Sequence, residues 1–203
     1  TIASIPAYLI SITVLGSEPL FGTIGNIPLT LEVIALSLLL GLICGLYSVF
    51  FTKTFSWMEV IVVRLKKRVG NNLVAVLGSV TLAISGLLSV YSIGVGLHFV
   101  SALISGASFS IAVLSGIILL KTVVTATTLK FGGSGGLFFS TIVIGAGLGY
   151  IFSLIFNVNL AVMFIAVGMA SLLAGTHKVL LTSVAFIVET LGGVFAIPAL
   201  LAS

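Results

Sequence analysis

Charged residues are scarce in this chain. Its 203 residues include four acidic and eight basic side chains, so charged residues make up only 6% of the sequence, while hydrophobic residues make up 60%. Soluble domains typically contain roughly 25% charged residues. A water-exposed surface could not be built from so few charges, and the composition therefore predicts an integral membrane protein with a lipid bilayer around it.

Other scarcities exclude further classes of protein. The single cysteine, Cys44, cannot form an intrachain disulfide. His98 and His177 have no second ligand at metal-binding spacing, such as a pair at i and i+4. Paired carboxylates, a nucleophile beside a base and a phosphate-binding lysine after a glycine loop are all missing from the sequence. We therefore expect no enzyme activity, no metal, no cofactor and no nucleic-acid partner.

Apolar stretches recur along the chain, and several are about 20 residues long, which is enough to cross a hydrocarbon core of roughly 30 Å as a helix. Glycine-containing breaks separate stretches of uneven length, a pattern typical of discontinuous helices in channels and transporters. The sequence predicts an all-α, polytopic membrane protein, a bundle of tilted and discontinuous helices over 7–15, 28–55, 73–90, 98–105, 108–131, 137–156, 160–173 and 180–189.

Basic residues concentrate in one place. Five of the eight fall within 53–68, which ends in Arg64-Leu65-Lys66-Lys67-Arg68. The positive-inside rule predicts that this segment, Arg64 to Arg68, faces the cytoplasm. We interpret it as a topology signal that is also attracted to anionic lipid head groups.

An uncharged glycine loop, Gly-Gly-Ser-Gly-Gly at 132–136, interrupts two long apolar runs. At membrane depth, irregular backbone is tolerated only where it is buried in protein or lines a cavity. The helix predicted to begin at Leu137 would present unpaired N–H groups and the positive end of its dipole there. Such a terminus binds anions, weakly enough to suit conduction. The alternative is a close-packed glycine turn between two helices.

Two ionisable residues stand within or next to apolar runs. Lys121 falls inside a predicted helix, where a lysine either snorkels to the interface or faces a polar cavity and adds positive potential to an anion path. Glu189 precedes Gly192-Gly193 and is either a structural partner at a helix end or a functional carboxylate buried in the membrane.

Two late segments resemble one known family. Gly133-Ser134-Gly135-Gly136-Leu137-Phe138-Phe139-Ser140, continuing to Gly149, resembles the GxFxP region of CLC chloride channels and chloride/proton antiporters. Val167 to Gly175, followed by Lys178, Leu181-Thr182 and Glu189, resembles the GMAALLAG segment and the RAPLT and FELTG elements of that family.

The resemblance implies the C-terminal part of a CLC membrane domain, which forms the second half of an inverted-repeat fold. Residues 1–203 would then be a single transmembrane domain, a fragment truncated at both ends. The implied function is transmembrane chloride transport by a homodimer in which each subunit has its own pore. In this picture the backbone amides of Leu137 and Phe138, presented by Gly135 and Gly136, contact the transported chloride.

The chain also departs from the family pattern. Ser140 and Leu180 stand where the family has prolines, and the loop with the gating glutamate is not in this sequence, so channel and antiporter remain alternatives. A second hypothesis is a non-transporting or half-subunit membrane scaffold derived from the same family. A third hypothesis is an unrelated secondary transporter with a coupling-cation site. Such a site would be built from carbonyl groups and carboxylates, and the sequence has only four acidic residues to supply the carboxylates.

Overall fold

The computed structural model describes residues 13–14, 30–158, 160–191 and 195–203, and within these ranges it contains helices and no strand. A 3₁₀ turn, η1 (Val90–Ser92), follows the first long helix. The helices are α1 (Leu31–Leu88), α2 (Leu97–Ile104), α3 (Ile111–Lys130), α4 (Leu137–Ile155), α5 (Ala161–His177), α6 (Leu180–Leu191) and α7 (Ala196–Ala202).

Helix α1 is 58 residues long and consists of two arms. It begins at Thr30, whose side chain accepts a hydrogen bond from the amide of Val33. Gly70, with φ 81° and ψ 166°, interrupts the helical backbone and divides it into arms 31–69 and 71–88. The basic segment is helical and completes the first arm. The prediction that this helix ends near residue 55 is therefore wrong. The polar side chains of 56–68 do not end the helix, and the first interruption is Gly70.

Helices α4 and α5 form the centre of the bundle. Residues 163–174 of α5 are all buried, as are most residues of α4. Their backbones touch where α4 carries Gly145 and Gly149: a Cβ added at Gly145 would collide with the carbonyl oxygen of Gly168, and one at Gly149 with that of Phe164. Small residues at such crossings let membrane helices approach closely, since apolar burial alone does not drive their association in lipid.

The remaining helix predictions are close to the structure, with one clear error. Helices α2, α3, α4 and α6 lie within a few residues of their predicted bounds. Helix α5, predicted to end at residue 173, continues to His177 and ends at Lys178, which has a φ of 57°. Gly175 does not break it, because this glycine lies in the helix and makes room for Ser48 of α1, 3.2 Å from where a Cβ would be.

Within the described ranges, three helices are long and apolar enough to cross a membrane: α1, α3 and α4. Helices α5 and α6 are apolar but shorter. The first predicted helix, 7–15, falls outside the described residues except for Thr13 and Val14, as does the predicted break at residues 192 and 193.

Candidate anion site

The glycine loop, residues 132–136, connects α3 to α4 and is exposed along its whole length. Its first residue, Gly132, has a φ of 100°, a conformation that side chains strongly disfavour. The amide of Gly133 then donates to the carbonyl oxygen of Thr128 at 2.8 Å, which closes the end of α3. The loop therefore leaves α3 by a turn that depends on glycine.

Helix α4 begins without a side-chain cap. Gly136 occupies the cap position in an extended conformation, φ −112° and ψ 136°, and has no side chain to accept from the first-turn amides. The two other long helices differ, since Thr30 caps α1 at 3.3 Å and Ser110 caps α3 at 3.4 Å. The first-turn amides of α4 consequently have no side-chain acceptor, as an anion-binding terminus requires.

One wall of a cavity of about 310 Å³ is formed by the loop residues Ser134, Gly135 and Gly136. We call it the glycine-loop cavity. Its other lining residues include Lys121 and Thr125 of α3, Phe139 and Ser140 of α4, and Gly94 and Val95 from the connection before α2. Two of the predicted groups, the glycine pair and Lys121, are thus brought to the same space.

Lys121 is buried, with 2% of its surface exposed. Its ammonium nitrogen donates to the carbonyl oxygen of Gly94 at 2.7 Å. Snorkelling, one of the two behaviours considered from the sequence, is therefore wrong, because a backbone carbonyl lies within reach inside the protein. Lys121 lines the glycine-loop cavity, and its effect on an anion path stays a prediction.

Hydroxyl groups extend the polar lining beside Lys121. Thr125 Oγ1 donates to the carbonyl oxygen of Lys121 at 2.7 Å and lies 3.2 Å from Ser140 Oγ. Ser140, at the position where the resemblance implies a proline, thus supplies a hydroxyl that links α4 to α3. Sequence reasoning missed Thr125, although its position four residues after Lys121 places both on one face of a helix.

Leu137 and Phe138 are half-buried, and neither lines the glycine-loop cavity. The Phe138 ring packs edge-on against Phe186 of α6, with centroids 5.3 Å apart, and its centroid lies 6.3 Å from that of His177. Their side chains face the core, and their amides remain the predicted anion contacts. Glu189 is exposed on this chain near the end of α6, and its two alternative roles stay predictions.

Comparison with known proteins decides the family. The family described as "Voltage gated chloride channel" matches residues 1–203. The chain belongs to that family. As a family member with several apolar helices, it is an integral membrane protein, and its predicted CLC-type, all-helical fold is confirmed.

A solved relative has the same fold. The crystal structure of a CLC-type fluoride/proton antiporter superposes with a TM-score of 0.73 at 25% sequence identity, and the match covers 88% of this family member and 45% of the antiporter chain. The chain therefore spans about half the length of that relative. No curated protein matches the chain.

Proposed function

We propose that this chain is the second half of the membrane domain of an anion transporter or channel, and that it contributes a binding site for a small halide at the start of α4. The observation that carries the proposal is the uncapped terminus at Gly136 beside a cavity that also contains the buried Lys121. Both features add positive potential to one region without a fixed counter-charge.

The missing counter-charge is a specific property of this region. The carboxylates in the described ranges belong to Glu32, Glu59 and Glu189, and all three are exposed. Glu59 pairs with Lys130 at 2.6 Å, on the exposed surface. No described carboxylate therefore neutralises Lys121. A mobile anion in the cavity would experience attraction from the lysine and from the dipole of α4 together.

We propose chloride as the anion, as the resemblance implies. Because the solved relative is a fluoride/proton antiporter, fluoride is the first competitor to test. The groups that contact the anion directly are the neutral backbone amides of Gly135, Gly136, Leu137 and Phe138. Because no charged side chain coordinates it, the anion can enter and leave the site. The rest of the full-length protein would complete the ion path. Homodimer formation and a cytoplasmic position of the basic segment belong to the same proposal.

Full-length protein reconstituted in liposomes tests the site by anion efflux. Gly136→Val and Gly135→Val should each reduce chloride efflux at least tenfold. A Cβ at Gly136 meets no atom within 4 Å and one at Gly135 meets only Leu129 at 3.6 Å, so neither position is closed to a side chain. An unchanged melting temperature in both variants would show that a loss of efflux reflects the site and not a steric clash within this half of the protein.

Gly45→Val provides the matched control, because a Cβ at this helical glycine also meets nothing within 4 Å. It should retain efflux. Wild-type efflux in both loop variants would refute the proposed site. A folded wild-type protein that moves neither chloride nor fluoride would instead favour the scaffold hypothesis.

A further inference from the structure

The connection between η1 and α2 forms the wall of the glycine-loop cavity that faces Lys121. We call residues 93–96 the 93–96 segment. Gly94 and Gly96 have positive φ angles of 61° and 80°, which glycine adopts without a steric penalty. The segment is therefore a shaped piece of backbone, and its lining residues Gly94 and Val95 face the same cavity as the glycine loop.

Two helices hold the 93–96 segment in place. Lys121 of α3 donates to the carbonyl oxygen of Gly94 at 2.7 Å. A Cβ built on Gly96 would lie 3.2 Å from the Lys121 ammonium and 3.1 Å from the side chain of Val143 on α4. An added side chain would therefore press on both neighbours, and it is the lack of one at Gly96 that lets the segment lie wedged between α3 and α4.

The same face of α3 also holds the start of α4. Thr125, one turn after Lys121, lies 3.2 Å from the hydroxyl of Ser140 in the second turn of α4. Lys121 thus binds one wall of the cavity, the 93–96 segment, while Thr125 contacts Ser140 of α4 in another. A shift of either contact would change the space between the 93–96 segment and Gly136.

We propose that Lys121 is a positioning residue for the anion site: by holding the Gly94 carbonyl, it fixes the 93–96 segment against α4 and so sets the affinity for the anion. This inference rests on the proposed function. It differs from a purely electrostatic role because it assigns the effect to the contact between the ammonium and the segment. A charge acting at a distance would not depend on the shape of the backbone at Gly96.

The test measures the anion concentration that gives half-maximal flux through the full-length protein in liposomes. Lys121→Met removes the donor while keeping an unbranched side chain, and it should raise that concentration about tenfold, in line with the loss of a hydrogen bond from a charged donor. Gly96→Ala keeps the lysine but pushes the 93–96 segment away from Lys121 and Val143. It should therefore also raise the concentration for half-maximal flux.

Gly106→Ala is the matched control for backbone strain. Gly106 has a φ of 85°, close to that of Gly96, but a Cβ there meets nothing within 4 Å. This variant should pay a similar conformational penalty and leave half-maximal flux unchanged. The Lys121→Met/Gly96→Ala double variant should need no higher anion concentration for half-maximal flux than the more affected single variant. The reason is that residues in contact act non-additively.

A thiol probe reports the position of the segment independently of transport. Val95 is half exposed, at 51%, and Val95→Cys can be labelled in a background without other reactive cysteines. Lys121→Met should change its modification rate, whereas the Gly106→Ala control should not. If the Lys121→Met protein cannot be purified, the test is the difference between Gly96→Ala and Gly106→Ala in the anion concentration for half-maximal flux.

Several results would overturn the inference. These are equal half-maximal concentrations for Gly96→Ala and Gly106→Ala, strictly additive effects in the double variant, or an unchanged Val95→Cys labelling rate in Lys121→Met. Failure of the proposed function has a different signature, since Gly136→Val would then transport like the wild type. Loss of flux in Gly136→Val with unchanged affinity in Lys121→Met would reject the positioning role alone.

Discussion

The phenol oxygen of Tyr47 lies 2.8 Å from the hydroxyl oxygen of Thr122 and links the first arm of α1 to α3. Thr122 uses its own proton to bond the carbonyl oxygen of Ile118 at 2.9 Å, so the tyrosine is the donor. Thr122 is completely buried and follows Lys121 directly. This contact attaches the helix that carries the buried lysine to the longest helix of the protein.

Tyr47→Phe should destabilise the protein by about 0.6 kcal/mol, the average for hydrogen bonds between membrane helices. Thermal unfolding in detergent, followed by tryptophan fluorescence, measures the change. Tyr91→Phe is the control, because Tyr91 packs against Phe99 and Phe109 through its ring. A loss of stability in Tyr91→Phe that matched the one in Tyr47→Phe would contradict a specific role for the Tyr47 hydroxyl.

Ser140 and Thr125 should be energetically coupled. We expect Ser140→Ala and Thr125→Val each to lower stability by about 1 kcal/mol, since each removes one partner of a buried polar pair. The double variant should lose less than the sum, with a coupling of at least 0.5 kcal/mol. A double-mutant cycle on thermal unfolding measures this energy, and additive losses would show that the 3.2 Å contact is not a hydrogen bond.

The crossing of α4 and α5 should be intolerant of any side chain. Gly145→Ala places a methyl group against the backbone of α5 and should cost about 1–3 kcal/mol by overpacking. Gly45→Ala, at a helical glycine with open space, should be neutral or stabilising by up to about 1 kcal/mol, because alanine is the better helix former. Equal melting temperatures for the two variants would argue against close helix contact.

The basic segment should be accessible from the cytoplasm only. Val69→Cys, next to Arg68 and 39% exposed, should react with a membrane-impermeant thiol reagent applied to that side. Leu87→Cys, 89% exposed and near the far end of the second arm, should react from the other side, since the 18 residues of that arm, 71–88, span about 27 Å. Cys44 is completely buried and should stay silent. Labelling of both positions from one side would reject the proposed topology.

The sequence predicted the helices around the site well because their limits depend on local chemistry. Helix α3 begins after the cap Ser110, and α4 begins after a glycine loop that no helix could continue through. The end of α5 could not be predicted, because Gly175 is explained by its close packing against Ser48, which lies 127 positions earlier in the chain. The partner of Lys121 was equally hidden, because only the fold brings Gly94 to it.

The contact between Gly145 and Gly168 has a consequence for how ions could be admitted. Two helices whose backbones are in contact cannot slide or rotate past each other without a steric clash. We therefore expect α4 and α5 to move as one rigid body. The start of α4, where we propose the halide site, is then expected to move together with α5. Access would have to be controlled by elements of the protein outside that rigid body.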